Sequence, residues 1–127
     1  MRYIEGRVEG IKITYIGGGS RGWAWQLMSD LAKEEQLNGT VRLYDIDYEA
    51  AQHNMVIGNG LKGREDVNSK WDYEAVATLD EALKDADFVI ISILPGTFNE
   101  MASDVHAPEK YGIYQAVGDT VGPGGIV

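Results

Sequence analysis

Residues 11–22 read IKITYIGGGSRG, a short apolar, β-prone run closed by glycines at positions 17, 19 and 22. The spacing is G-x-G-x-x-G, placed where a strand should turn into a helix, so that a dinucleotide pyrophosphate can rest on the helix N-terminus. In that pattern Gly17 permits the tight turn, Gly19 lets the backbone approach phosphate, and Gly22 lets the new helix pack closely on the sheet. Gly18, Ser20 and Arg21 complete the candidate phosphate-binding turn. Glycine-rich turns are common. The weight of this one comes from its context: β-prone residues before it, an amphipathic stretch after it, and an acidic residue closing the next strand.

Downstream of the turn, Trp23, Leu27, Met28 and Leu31 recur at helical spacing through about residue 36, and Asn38-Gly39 supplies a stop. Residues 41–45 read as a second strand, and Asp47 as the N-cap of a helix reaching about Leu61. A polar loop follows; residues 73–77 are β-prone and 79–86 form a short helix. Residues 87–93 are the most apolar segment, a continuous run suited to a parallel strand covered on both faces. Residues 99–111 read as helical, interrupted by Pro108 and ended by Gly112. Strands alternating with helices give an α/β class, a Rossmann-type doubly wound parallel sheet with its ligand at the C-terminal strand edge. Residues 17–21, 45–47 and 92–96 fall on that edge.

The 127 residues suffice for one domain with a modest core. With 20 acidic against 11 basic residues, a formal charge of −9 argues against electrostatic binding to nucleic acid or an anionic membrane. There is no cysteine, so this chain can contain neither a disulfide, nor a thiolate metal site, nor a cysteine nucleophile. No apolar run approaches the roughly 18 to 20 residues that span a bilayer, and no basic, then hydrophobic leader opens the chain. A cytoplasmic protein is expected. Residues 1–10, MRYIEGRVEG, contain Ile4-Glu5-Gly6-Arg7, which matches a protease site used with recombinant tags; they read as a native or tag-like extension ahead of a nucleotide-binding domain over 11–127.

Asp45 closes the second strand 23 residues beyond Gly22, near the roughly 20 expected for the acid that holds the adenosine ribose hydroxyls. A carboxylate there accepts both hydroxyl protons and repels a 2′-phosphate, and no Arg or Lys immediately follows, so NAD is favoured over NADP. Asp47 is assigned to capping. Arg21 could meet the pyrophosphate or a substrate anion, or be a solvated arginine at a helix start. Leu94 and Pro95, ahead of Gly96, would form the loop beside the nicotinamide ribose and contribute backbone shape. Trp23 and Trp25 line the cleft or serve as core or interface residues. His53 and His106 lie on predicted helices and make no convincing metal site without cysteine.

Several of these segments carry a resemblance. Gly17-Gly18-Gly19-Ser20, Tyr44-Asp45-x-Asp47, Asp87-Phe88-Val89, and Lys110-Tyr111-Gly112 leading to Asp119-Thr120-x-Gly122-Pro123-Gly124-Gly125 resemble the NAD-binding half of glycoside hydrolase family 4. The likeness covers nearly the whole chain after residue 10. Its terminal T-x-G-P-G-G run is the most specific part, because a generic dinucleotide fold has no reason to carry it. The resemblance implies an NAD-dependent exception to two-carboxylate glycoside hydrolysis. Hydride leaves C3 of the sugar for NAD, the C2 proton is lost, the C1 leaving group is eliminated, water adds, and the hydride returns. A divalent metal, manganese, polarises the C2 and C3 oxygens. Asp119 takes the position thought to assist the leaving group; without the family it reads as a turn former. The family's cysteine and histidine metal ligands and tyrosine base lie beyond this chain. It is therefore expected to be the N-terminal NAD-binding part of a larger, homo-oligomeric enzyme and inactive alone.

Two departures bear on substrate. Branches acting on 6-phosphosugars have I-R-V-G where this chain has Ile93-Leu94-Pro95-Gly96, and R-x-x-D-E where it has Met101-x-x-Asp104-Val105. Two cations and an acid are lost. The LPGTF and GIYQAVGDT runs are closer to the α-galacturonidase or α-glucosidase-like branch, which implies an unphosphorylated α-glycoside such as a uronide, with Arg21 available to its carboxylate. The competing readings are an NAD-dependent dehydrogenase of the malate or lactate type, which would release NADH, and a stand-alone nucleotide-binding module.

Overall fold

Alternation along the first long strand sets the layers. Ile11, Ile13 and Tyr15 are buried on one face together with Val41, Leu43, Trp71 and Tyr73 from the neighbouring strands. Ala24, Met28, Leu31 and Ala51, from two helices, close that core. Side chains two residues apart share a face of a strand, and three or four apart share a face of a helix, so one apolar pattern meets the other.

The computed structural model describes residues 1–68 and 70–115. The chain divides into two compact units, Met1–Ile93 and Leu94–Val127. The first contains β1 (Arg2–Ile4), β2 (Arg7–Ile16), α1 (Trp23–Lys33), β3 (Leu37–Tyr44), α2 (Tyr48–Gly60), β4 (Trp71–Ala75), α3 (Leu79–Leu83) and β5 (Phe88–Ile91). Strands β3 and β5 pair in parallel with β2, and β4 pairs in parallel with β3. The parallel order is thus β4, β3, β2, β5, which is the first half of a doubly wound nucleotide-binding sheet. Its switch point lies between β2 and β5, on either side of which the strand order runs in opposite directions.

Helices occupy both faces. While α1 and α2 cover the Ile13 and Val41 side, the Thr14 hydroxyl on the opposite side donates to the Ala82 carbonyl oxygen of α3. Arg42 caps the same helix from beneath, donating to the Glu81 and Lys84 carbonyl oxygens at 3.1 and 2.5 Å.

Several boundaries differ from the sequence expectation. Strand β2 begins at Arg7 rather than Ile11, and residues 2–4 pair antiparallel with residues 7–9 through a turn at Glu5 and Gly6, both with positive φ. Asn38-Gly39 does not stop a helix; it lies inside β3, where a Cβ on Gly39 would overlap the Ile11 carbonyl oxygen across the ladder. Tertiary pairing overrides the turn signal there. The apolar run of β5, expected to be covered on both faces, leaves Phe88, Val89 and Ile91 exposed. Among the described residues β5 pairs along one edge with β2, and an apolar run is buried only where other elements supply the cover.

The second unit contains α4 (Phe98–His106) and a 3-10 turn at Ala107–Tyr111. Thr97 and Glu100 form a reciprocal capping box at the start of α4. Pro108 stands where the α-helix gives way to the tighter turn, and Gly112, at φ 75°, ends it in the left-handed conformation.

Candidate cofactor site

Chemistry at the sheet edge begins with glycines that cannot be replaced. Gly17 has a φ of 93°, and a Cβ there would overlap the Ser92 carbonyl oxygen at the end of β5. At Gly18 a Cβ would lie 2.7 Å from Leu43 Cβ, and at Gly19 it would lie 2.7 Å from Ala50 Cβ and 2.9 Å from Asp45 Oδ2. Each distance is below ordinary van der Waals contact. The turn is also tied to β3, since the Gly17 and Gly18 N–H groups both donate to the Tyr44 carbonyl oxygen at 2.9 Å.

Gly22 departs from its expected role. Nothing lies within 4 Å of a Cβ built there, so close helix–sheet packing does not require it. The close helix–sheet approach that does need a glycine is that of α2, where a Cβ on Gly58 would press to 2.6 Å on the Tyr73 ring of β4. What Gly22 does is leave the α1 N-terminus without a side-chain cap; the first turn holds no acidic residue either. Among the described residues the Arg21 and Gly22 N–H groups have no hydrogen-bond partner, and Arg21 itself is exposed. Unsatisfied N–H groups at the positive end of a helix dipole are an anion-binding arrangement. Ser20 closes the turn with its N–H on the Gly17 carbonyl oxygen at 3.1 Å.

Asp45, at the end of β3, stands on the other side of the turn. Its Oδ2 accepts from the Gly19 N–H at 2.8 Å and its Oδ1 from the Asp47 N–H at 3.0 Å. A carboxylate offers about four lone-pair sites, so acceptor capacity remains for two ribose hydroxyls. Asp47 caps α2 as expected, accepting from the Ala50 N–H at 3.1 Å.

One contributor was not legible as a site residue. Asn54 of α2, only 2% exposed, donates from Nδ2 to the Gly18 and Ser20 carbonyl oxygens and accepts from the Trp25 indole. The signal that could have found it is a polar residue on the buried helical stripe of Ala51, Asn54 and Gly58. Trp25 is thereby tied to the turn, while Trp23 is 74% exposed and belongs to no core. Both histidines sit on exposed helical surface, His106 with Nδ1 2.9 Å from Glu109 Oε1. Leu94 and Pro95 are exposed at the start of the second unit. Asp119 lies outside the described residues. Among the described residues no cluster of three or more His, Cys, Asp or Glu side chains is arranged to hold a metal, so these residues do not fit one.

A glycine cradle that a Cβ would fill, an uncapped helix and a strand-end carboxylate fit a dinucleotide. The chain's relatives sharpen that: residues 12–127 match the profile of the Family 4 glycosyl hydrolases. The chain belongs to glycoside hydrolase family 4. Within the family it is 73% identical over all 127 residues to an α-galacturonidase from Thermoanaerobacterium saccharolyticum, covering 27% of that protein. Among solved structures, a Bacillus subtilis protein assigned as a glucosidase superposes with a TM-score of 0.75 at 62% identity, over 94% of this chain and 26% of its own. A 6-phospho-β-glucosidase from Thermotoga maritima, solved with manganese, NAD⁺ and glucose-6-phosphate, gives a TM-score of 0.63 at 27% identity, over 88% of this chain and 26% of its own. The chain spans about a quarter of the length of the family 4 relatives it matches.

Proposed function

We propose that this chain is the NAD-binding part of an α-galacturonidase that needs NAD but yields no net NADH. One observation carries the cofactor reading: the Asp45 carboxylate is bonded to Gly19 N–H within a glycine turn that opens onto an uncapped helix. In that arrangement the Arg21 and Gly22 N–H groups, unpartnered among the described residues, would hold the pyrophosphate, and the Gly17–Gly19 backbone, bare of Cβ, would let it approach. Asp45 would hold the adenosine ribose and disfavour a 2′-phosphate. Bound there, NAD would supply a reversible hydride acceptor, and a reaction that returns its hydride changes no net oxidation state.

The substrate class rests on kinship and on missing charges. Identity is 73% to an α-galacturonidase and 27% to a 6-phospho-β-glucosidase. The chain also has Leu94 and Met101 where the phosphosugar branches carry arginine. An unphosphorylated uronide fits both facts, with Arg21 available to its carboxylate. Leu94 and Pro95 as the nicotinamide-ribose loop, and Asp119 in leaving-group assistance, enter the proposal through the resemblance. So does a divalent metal, whose ligands would come from the rest of the protein.

The test is turnover by the whole protein of aryl α-galacturonides and aryl 6-phosphoglucosides, with and without added NAD. Cleavage of the galacturonide that requires NAD, with no growth of reduced-nicotinamide absorbance, supports the reading. Cleavage of the 6-phosphoglucoside alone refutes the substrate class, and stoichiometric NADH production refutes the glycosidase in favour of a dehydrogenase.

A further inference from the structure

Asn54 reaches from α2 to two carbonyls of the glycine turn, and both polar atoms of its side chain are engaged. Nδ2 donates to the Gly18 carbonyl oxygen at 2.7 Å and to the Ser20 carbonyl oxygen at 3.0 Å. Oδ1 accepts from the Trp25 indole N–H at 2.7 Å. The three partners fix the amide's orientation, because the flipped amide would set an oxygen against two carbonyls and an NH₂ against an N–H.

A trans peptide points its C=O and N–H to opposite sides. Holding the Gly18 and Ser20 carbonyls on the α2 side therefore turns the Gly19 and Arg21 N–H groups the other way. The Gly19 N–H meets Asp45 Oδ2, and the Arg21 N–H is left without a partner among the described residues. Glycine backbone is the freest of all to rotate, so a turn that opens with three successive glycines needs an external tether to hold its peptide planes, and with them the Arg21 N–H, in one orientation before a ligand arrives.

We propose that Asn54 is a positioning residue for the pyrophosphate of NAD: it orients two peptide planes of the glycine turn, and Trp25 locks its amide. This rests on the cofactor reading above. Asn54 touches no ligand atom in this scheme; it acts through the backbone that does.

The experiment measures NAD⁺ and adenosine affinity of the whole protein by calorimetry and ligand-observed NMR. Asn54→Leu removes both tethers at similar volume. NAD⁺ should bind about tenfold or more weakly, the effect of a lost hydrogen-bonding arrangement, while adenosine, which has no pyrophosphate, should change by less than about twofold. Unchanged NAD⁺ affinity overturns the assignment, and so does equal weakening of both ligands, which would mark general collapse of the site. Trp25→Phe keeps both tethers and loosens only the lock; it should weaken NAD⁺ by about threefold and spare adenosine. If Asn54→Leu does not fold, unchanged NAD⁺ affinity in Trp25→Phe overturns the proposal. Absence of NAD⁺ binding by the unsubstituted protein is a different result, which overturns the cofactor reading itself.

Discussion

Asp45 Oδ2 sits 2.8 Å from the Gly19 amide nitrogen, so the acid that ends β3 and the middle of the glycine turn that follows β2 form one hydrogen-bonded unit. The bond is charge-assisted and orders the turn; in the proposed NAD complex the same carboxylate would also face the ribose. Replacing Asp45 by Ala removes both. Affinity for NAD should fall by about 10- to 100-fold, in line with roughly 1.5–3 kcal/mol for hydrogen bonds to a charged group. Discrimination against NADP should shrink at the same time, because the charge that repels the 2′-phosphate is gone. Calorimetric titration with both dinucleotides measures the two effects together.

The glycines of the turn should separate sharply by position. A methyl group at Gly17 would overlap the Ser92 carbonyl oxygen and would also force φ 93° on alanine, whereas Gly22 opens onto free space at φ −106°. Gly17→Ala is expected to cost about 2–4 kcal/mol of stability. Gly22→Ala should stay within about 0.5 kcal/mol. Urea denaturation of the two variants side by side gives the comparison.

Alkaline pH should act through Tyr73. Burial beneath α2 pushes this phenol up to about 12 from its ordinary value of 10.0. A group raised in the folded state contributes stability that is fully present below its unfolded value and is lost as pH rises through the folded one. Stability should therefore decline between about pH 10 and pH 12. Tyr73→Phe should flatten that decline and remove the late phase from a tyrosinate absorbance titration.

At the acidic end the cap of α4 should respond. Hydrogen bonds from Thr97 hold the Glu100 carboxyl below its usual value of 4.5. The sign is opposite to that of Tyr73: the contribution is present above the usual value and disappears as pH falls through the lowered one. The protection factor of the Thr97 amide, whose N–H donates to Glu100 Oε2 at 2.8 Å, should fall on acidification once the exchange rate is divided by the intrinsic rate at each pH. In Glu100→Gln, which has no carboxyl to titrate, that pH dependence of the cap should be absent.

Legibility followed the range of the interaction. Asp47 capping α2, Pro108 breaking the helix and Gly112 ending the turn are decided within a few residues, and each is found as read. Asn38-Gly39 misled, because a turn-prone dipeptide was recruited into β3 by the close approach of Ile11. Gly22 does not have the packing role read into it, and Gly58 of α2 has one that was not read, since what a helix meets when it lies on a sheet is a property of the partner strand and not of the helix start.

By itself, then, the sequence determined the strand, turn and helix at residues 11–33, the acid at the next strand end and the cofactor class they suit, because periodicity and turn torsions are properties of consecutive residues. Only the tertiary structure decided which glycines are compulsory and what holds them. Ser92, Leu43 and Ala50 set the space around the turn, and Asn54 grips it from 34 and 36 residues away. Those contacts exist only once the parallel sheet has brought the ends of β2, β3 and β5 together, and no local pattern encodes the distance between atoms so far apart in the chain.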